Sequence, residues 1–177
     1  MYQTPVDFKQ IKKVLVAKLR HHGDVLLASP VFSLLKKRFP HLEIEAYLYK
    51  ETYPMLEGHP AISNYVLYDK GWKKLSFFGR LIKELALLKK IRKTGYDLVI
   101  NLTEGDRGAI AAKISKCKYA VGFDPENKGL FGKKKWYTHI IKHTPHPRHT
   151  VEKQLDALRC LGVFPDLNEK NLFFHIP

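Results

Sequence analysis

The stretch KVLVAKLRHHGDVLLASPVF, residues 13–32, decides the fold because it begins as a buried strand and ends as a helix. Val14 to Ala17 form a short apolar run, typical of a strand that is covered on both faces. From Asp24 to Phe39 apolar residues recur at helical spacing, basic residues occupy the last turn, and Pro40 ends the helix. Pro30 lies inside this helix and predicts a kink or a break near Ser29. A buried strand that leads directly into a helix is the repeating unit of α/β domains.

The rest of the chain continues this alternation. Further strands are predicted over residues 44–48, 65–67, 96–102 and 119–123, with a last short strand in NLFFHIP at 171–177. Further helices are predicted over residues 75–92, followed by a capping Gly95, over 107–116, and over 149–161, ending at Gly162. Residues 124–147 are rich in Gly, Pro, Lys and His and predict a long loop. We expect residues 1–177 to form one α/β domain, Rossmann-like and three-layered, with a mostly parallel sheet.

The turn RHHGD, residues 20–24, is predicted to lie where ligands bind in such sheets, beyond the carboxyl ends of the strands. The turn TEGDR at 103–107 is expected at the same edge. Gly23 is expected to allow a tight turn and the close approach of a ligand. Two interpretations of Asp24 remain open, a carboxylate that caps the following helix and a general base aimed at a substrate hydroxyl. The acid pair Glu43 and Glu45 lies in a predicted strand and is expected to form a solvated edge.

The charge of the chain indicates an anionic partner. Lys and Arg number 31 against 17 Asp and Glu, which gives a formal net charge of +14. Such an excess favours nucleic acid, a phosphorylated substrate or an acidic membrane surface as the partner. A basic surface that only keeps the protein soluble would have the same composition. The content of hydrophobic residues, 45%, excludes a disordered chain.

Several common sites are not encoded. The sequence has no GxGxxG, GxxxxGK[ST], HExxH or DxD motif, so no dinucleotide fingerprint, P-loop or metal–diphosphate site is predicted. Cys117 and Cys160 form neither a metal-ligand spacing nor a disulfide framework. The first residues lack the apolar core of a signal peptide, and no apolar run approaches the roughly 18 residues of a membrane span. We therefore expect a cytoplasmic protein without a metal or cofactor.

Three segments resemble the ADP-heptose:lipopolysaccharide heptosyltransferases, glycosyltransferase family 9. The first is residues 13–69, where a strand, a Gly-Asp turn and a helix are followed by P-x-x-x-x-L-K-K-R-F-P. The second is residues 96–123, and the third is HTVEKQLDALRCLGV at 149–163. The third segment keeps the family pattern at His149, Val151, Leu155, Leu158 and Gly162. The match extends in register over nearly the whole chain, and within the family it is strongest to the members that branch a heptose from the second inner-core heptose.

The resemblance implies a function and a division of labour. Family members have the two-domain GT-B fold, and this chain corresponds to the N-terminal, acceptor-binding half, without the half that binds ADP-heptose. Asp24 is then the general base of an inverting transfer to the anionic inner core of lipopolysaccharide, which lies on the cytoplasmic leaflet of the inner membrane. No cofactor and no metal is implied. The candidate acceptor-binding residues are Lys18, Arg20, His21, His22, Gly23, Glu104, Arg107 and Arg148.

Two segments mix Lys with aromatic residues, GWKKLSFF at 71–78 and FGKKKWY at 131–137. This mixture is typical of segments that lie at a membrane interface, and it also fits basic loops with partly buried aromatics. Peripheral contact with the inner membrane is therefore expected. The alternative to a transferase is a non-catalytic basic α/β module that binds anionic lipid or nucleic acid, although no RNA-binding signature is present.

Overall fold

A six-stranded sheet forms the centre of the molecule in the computed structural model, which describes residues 5–126, 128–143 and 148–174. The strands are β1 (Lys13–Ala17), β2 (Glu43–Tyr49), β3 (Asn64–Tyr68), β4 (Leu98–Asn101), β5 (Tyr119–Phe123) and β6 (His139–Ile141). Their order is β3-β2-β1-β4-β5-β6, and every pairing between neighbours is parallel. The chain crosses over after β3, so β1 and β4 are adjacent at the centre, which is where ligands bind in sheets of this type.

Helices cover both faces of the sheet. They are α1 (His22–Leu26), α2 (Ser29–Arg38), α3 (Phe77–Thr94), α4 (Asp106–Ser115) and α5 (Thr150–Cys160). On one face Val14 and Val16 of β1 belong to a buried cluster with α2 and α5. On the other face Leu15 and Ala17 belong to a second cluster with α3 and α4. This alternation along one apolar strand explains why β1 shows no polar face, and the three-layer α/β fold expected from the sequence is confirmed.

The predicted elements are mostly confirmed. The helix expected over 24–39 is broken before Ser29, as Pro30 indicates, because proline fits only in the first turn of α2. The long basic helix ends at Gly95, which adopts the left-handed conformation with φ 69°.

Three expectations were wrong. The expected loop over 124–147 contains a short 3₁₀ helix, Lys133–Trp136, and the edge strand β6; residues 127 and 144–147 of that loop lie outside the described residues. Residues 171–174 form no strand, and the backbone N–H of Phe173 donates to Ser29 Oγ at 3.0 Å instead; residues 175–177 of the expected last strand lie outside the described residues. Glu45 is not at a solvated edge, because β2 lies between β1 and β3 and Tyr96 Oη donates to its carboxylate at 2.7 Å.

Candidate active site

A cleft lies at the carboxyl edge of the sheet, over the ends of β1, β4, β5 and β6. Its volume is about 160 Å³, below the ~300–1,000 Å³ of complete ligand pockets. The residues that line it are Lys18, Arg20, Asp24, Leu102, Glu104, Phe123, Lys142, His143, Thr150, Lys153, Gln154 and Asp156. The cleft is therefore polar, and its volume is that of part of a binding site rather than of a complete pocket.

Hydrogen bonds between the segments after β1 and β4 form the floor of the cleft. The backbone N–H of Leu102 donates to the carbonyl of Ala17 at 2.9 Å. The N–H of Leu19 donates to Thr103 Oγ1, also at 2.9 Å, and Lys18 Nζ donates to the carbonyl of Leu102 at 3.1 Å. These bonds extend the pairing of the two strands past their ends, so the residues that follow each strand are held in a fixed position.

Asp24 stands above this floor in the first turn of α1. The N-cap of α1 is His21, and Asp24 is the third residue of the helix, so its carboxylate does not occupy the cap position. The Asp24 side chain is 34% exposed, and its ion-pair partner among the described residues is Lys18, with Nζ and Oδ1 4.0 Å apart. The carboxylate is therefore anchored on one side and accessible from the cleft on the other.

Lys18 is a buried cation beside that carboxylate. Its side chain is only 6% exposed. Burial lowers the pKa of Lys18 to about 8; the nearby Asp24 raises it, and the positive charge of Arg20 lowers it further. A buried lysine at the ligand edge with a strongly shifted pKa is characteristic of functional sites. The sequence placed Lys18 among the residues that bind the ligand, whereas in the structure its ammonium group contacts Asp24 and the carbonyl of Leu102.

Gln154 of α5 contacts the backbone of Asp24. Its side-chain amide nitrogen donates to the backbone carbonyl of Asp24 at 3.2 Å. Gln154 is 2% exposed, and its amide oxygen has no hydrogen-bond partner in the described part of the chain. A buried acceptor without a partner is costly, and at a cleft it suits a donor brought by a ligand. The sequence contained a signal for this residue, because Gln154 is a polar residue between the core positions Val151 and Leu158 of an amphipathic helix.

His21, His22 and Gly23 of the predicted RHHGD turn face solvent. His21 and His22 are exposed, and the His22 ring is hydrogen-bonded to the carbonyl of Glu51 at 2.8 Å. Gly23 does not need the conformational freedom of glycine, since its φ is not positive. A Cβ at this position would meet no atom within 4 Å, so there is open space beside Gly23. The expectation that Gly23 is needed for a tight turn is therefore wrong. The expectation that a ligand approaches closely at Gly23 stays a prediction.

The structure does not bring Arg107 and Arg148 into the cleft. Arg107 Nη2 donates to Tyr68 Oη at 2.9 Å, between α3 and α4 on one face of the sheet. Arg148 Nη1 is paired with Asp156 at 2.7 Å. Both guanidinium groups are thus occupied by partners that the sequence alone could not identify.

Basic residues that the sequence did not single out line the cleft instead. Lys142 follows β6, and Lys153 lies on α5 one turn from its start. Together with Arg20 and Lys18 they face the acids Asp24, Glu104 and Asp156. Lys142 was missed because β6 was not predicted, so residues 142 and 143 could not be assigned to the end of a strand. Lys153 lies in the helix predicted over 149–161 and was not singled out there.

The described residues contain no group of three or more His, Cys, Asp or Glu side chains that could hold a metal ion. They also contain no helix that is long and apolar enough to cross a membrane.

Comparison with known proteins identifies the family. No family model matches the chain. Lipopolysaccharide heptosyltransferase 3 of Escherichia coli strain K12 is 35% identical over 147 residues, which are 82% of this chain and 41% of that protein. A protein of the same name from Escherichia coli is 32% identical over 145 residues, 82% of this chain and 42% of that protein. The chain is a homologue of the family 9 heptosyltransferases. It spans about two fifths of the length of these relatives.

Solved structures show the same fold at lower identity. The glycosyl transferase family 9 protein of Veillonella parvula superposes with a TM-score of 0.76 at 23% identity, over 94% of this chain and 45% of that one. The heptosyltransferase WaaC of E. coli, solved with ADP-2-deoxy-2-fluoro heptose, gives a TM-score of 0.72 at 19% identity, over 88% of this chain and 50% of that one. The all-parallel domain thus matches one half of the GT-B heptosyltransferase structures, as the resemblance implied.

Proposed function

We propose that this chain is the acceptor-binding half of an inverting heptosyltransferase that transfers heptose from ADP-heptose to the inner core of lipopolysaccharide. The observation that carries the proposal is the position of the partly exposed Asp24 in the lining of the cleft, in a chain homologous to lipopolysaccharide heptosyltransferases. The rest of the site supports an acceptor role, because the cleft has the dimensions of a single wall and is lined by residues suited to a polar, anionic sugar.

Asp24 is proposed as the general base. Its carboxylate takes the proton of an acceptor hydroxyl, and the oxygen attacks the anomeric carbon of the heptose while the bond to ADP breaks and ADP leaves with the electron pair. Attack from the face opposite ADP inverts the anomeric centre and needs no covalent intermediate. A general base must lie within hydrogen-bond reach of the proton it removes, and the Asp24 side chain, 34% exposed at the cleft, is accessible to a hydroxyl.

The residues around Asp24 are proposed to hold it and the acceptor. The Lys18 ammonium group stabilises the carboxylate, and Gln154 fixes the backbone at Asp24 through its amide nitrogen. The free amide oxygen of Gln154 accepts a hydrogen bond from a second acceptor hydroxyl. Arg20, Lys142 and Lys153 attract the carboxylates and phosphates of the inner core. The acceptor is held on the cytoplasmic leaflet of the inner membrane, which the protein contacts from the cytoplasm.

The proposal is tested by joining this chain to the remaining part of the E. coli K12 relative, which gives a two-half protein. We expect it to transfer heptose from ADP-heptose to inner-core acceptor that lacks the branching heptose, with inverted anomeric configuration in the product. Transfer with retained configuration would contradict the role of Asp24. A folded two-half protein that transfers no heptose would refute the proposed function and favour a binding module.

A further inference from the structure

Helix α3 has two apolar faces, and only one of them is covered. Leu87, Leu88 and Ile91 point toward the sheet, where Ile91 is fully buried. Phe78, Leu81, Ile82 and Leu85 follow the spacing i, i+3, i+4 and i+7 on another face, the spacing of a continuous stripe along a helix. These four side chains are 41–74% exposed, and Phe77 beside them is 75% exposed. We call these five residues the outer stripe.

An apolar stripe of this size is unusual on the surface of a soluble domain, where exposed apolar residues are normally scattered singly. The N-cap Ser76 and the left-handed Gly95 show that α3 is a complete helix with both ends formed. The outer stripe is thus a regular feature of a well-formed helix, and such a stripe indicates an interaction surface.

The charges around the outer stripe indicate an anionic surface. Residues 70–94 contain nine Lys and Arg against one acid, Glu84. The Glu84 carboxylate accepts hydrogen bonds from Tyr68 Oη at 2.7 Å and from Arg80 at 3.0 Å, toward the body of the protein. Lys83, Lys89 and Lys90 are exposed on the helix itself. A second copy of the chain would bring the same basic surface against this one, so like charges oppose a dimer through α3.

We infer that the outer stripe docks onto the surface of an anionic phospholipid bilayer. A helix with Phe and Leu on one face and Lys on its polar side is the usual form of a helix that lies in the membrane interface. Basic residues near such a surface add attraction to acidic lipids. Helix α3 follows β3 in a parallel sheet, so it begins at the carboxyl edge. The end of α3 that carries Phe77 and Phe78 therefore lies at the same edge of the sheet as the cleft. The inference deepens the proposed function and rests on it for the acceptor being lipid-anchored.

Two segments were predicted from the sequence as candidates for this contact, and they differ in the structure. In the segment 131–137, Lys133 is buried and donates to the carbonyl of Glu104, and Trp136 lies under Lys113 with 4.4 Å between Nζ and the ring centroid. Phe131 is exposed there, but it stands outside any helical stripe. In the segment 71–78, Trp72 is half-buried against Tyr68, whereas Phe77 and Phe78 begin the outer stripe. The first segment is largely a structural loop, and the second leads into the docking helix.

The test compares two phenylalanines of similar exposure, Phe78 at 74% on the outer stripe and Phe164 at 68% after α5. Binding of the 177-residue chain to vesicles of phosphatidylglycerol and phosphatidylethanolamine is measured by sedimentation. We expect Phe78→Ser to weaken binding about tenfold or more, from the loss of one buried aromatic side chain, and Phe164→Ser to leave it unchanged. Both sites are exposed, so both variants should keep the circular dichroism spectrum of the parent. Equal binding of the two variants would overturn the inference.

Other occupants of the outer stripe give different results. If a second copy covers it, size-exclusion chromatography shows a dimer that Phe78→Ser dissociates, and the inference fails. If the donor half covers it, Phe78→Ser has no effect on vesicle binding of the two-half protein, and the inference fails as well. Support requires that Phe78→Ser lowers heptose transfer to acceptor in vesicles while transfer to delipidated core oligosaccharide is unchanged. If the parent protein transfers heptose to neither acceptor, the proposed function is refuted. The effect of Phe78→Ser on vesicle binding would still show whether the outer stripe contacts lipid.

Discussion

At the scale of single residues, two Gly-Asp pairs occupy equivalent places in the chain and have different surroundings. Gly23-Asp24 follows β1, and Gly105-Asp106 follows β4. The Asp106 carboxylate accepts hydrogen bonds from the Leu130 N–H at 3.0 Å and from the buried Lys133 at 2.9 Å, which lower its pKa. Asp24 has one cationic partner 4.0 Å away and an open side. The carboxylate of Asp106, after β4, is therefore occupied by structural hydrogen bonds, whereas the carboxylate of Asp24, after β1, is partly exposed and can contact a substrate.

Gly23 and Gly108 give a matched pair of substitutions near the starts of α1 and α4, the helices that follow these strands. A Cβ at Gly23 meets no atom within 4 Å, whereas a Cβ at Gly108 would overlap the side chain of Asn101. We expect Gly23→Ala to keep stability or raise it by up to about 1 kcal/mol, and to lower kcat/KM of the two-half protein at least about tenfold by blocking the acceptor. Gly108→Ala should lose about 1–3 kcal/mol of stability by overpacking. Urea unfolding and transfer assays measure both effects, and full activity in Gly23→Ala would show that nothing approaches Asp24 from this side.

The pKa of Lys18 reports on its contact with Asp24. Burial lowers this pKa to about 8, and the Asp24 carboxylate holds it from falling further. We therefore expect Asp24→Asn to lower the pKa of Lys18 below about 8, whereas the surface variant Asp7→Asn should leave it unchanged. Nuclear magnetic resonance titration of the lysine side chain measures the shift. A pKa of Lys18 that does not respond to Asp24→Asn would mean that the two groups are not electrostatically coupled.

At the scale of elements, the alternation of apolar strands and amphipathic helices could be predicted because each buried strand leaves a local apolar run. Five of the six strands and all helices carry such a signal, and the break before α2 follows from Pro30 alone. β6 could not be predicted, because it is three residues long and begins with the buried His139. The hydrogen bond of Arg107 to Tyr68 joins residues far apart in sequence, and no local pattern encodes it. Helical periodicity does mark the core-facing position of Gln154 and the apolar stripe of α3, but which apolar face of α3 is covered depends on tertiary packing.

Ion pairs connect the segment after α5 to α2, and Glu169 makes two of them. Glu169 is paired with Lys37 and with Arg38, each at 2.8 Å. Hydrogen bonds from Lys37, from the Asp166 N–H and from Arg38 lower the pKa of Glu169 to about 2. A depressed carboxyl pKa contributes stability above the pKa of the unfolded chain, about 4.3, and this contribution is lost as the pH falls toward 2.

We expect the parent protein to lose more stability between pH 5 and pH 2 than Glu169→Gln does, because the variant lacks the titrating group. Urea midpoints across that range, converted to free energies of unfolding, measure the difference. Glu126→Gln, which changes an exposed acid in the loop after β5, is the control and should follow the parent. Identical slopes for Glu169→Gln and the parent would show that these ion pairs do not form in solution.

At the scale of the whole molecule, the proposed division of labour gives this chain the acceptor and assigns the donor to a second half. The chain spans 41% of its E. coli K12 relative. Holding donor and acceptor together in attack geometry is worth on the order of 7–11 kcal/mol in such reactions, and one wall of a cleft cannot provide it. We expect the 177-residue chain to bind ADP negligibly by calorimetry and to transfer no heptose. Saturable binding of ADP would place the donor site in this half and end the proposed division.

The rate of heptose transfer by Asp24→Asn in the two-half protein tests the central claim most directly. Asparagine keeps the size of the side chain, and Asp24 does not cap α1, so we expect an unchanged fold and a rate lower by about 10²-fold or more, the usual contribution of a positioned base. Asp106→Asn is the matched control; it changes the other Gly-Asp pair and should lower thermal stability while the rate per folded molecule stays within a few-fold of the parent. A folded Asp24→Asn protein that transfers heptose at a near-normal rate would contradict the role of Asp24 as the general base.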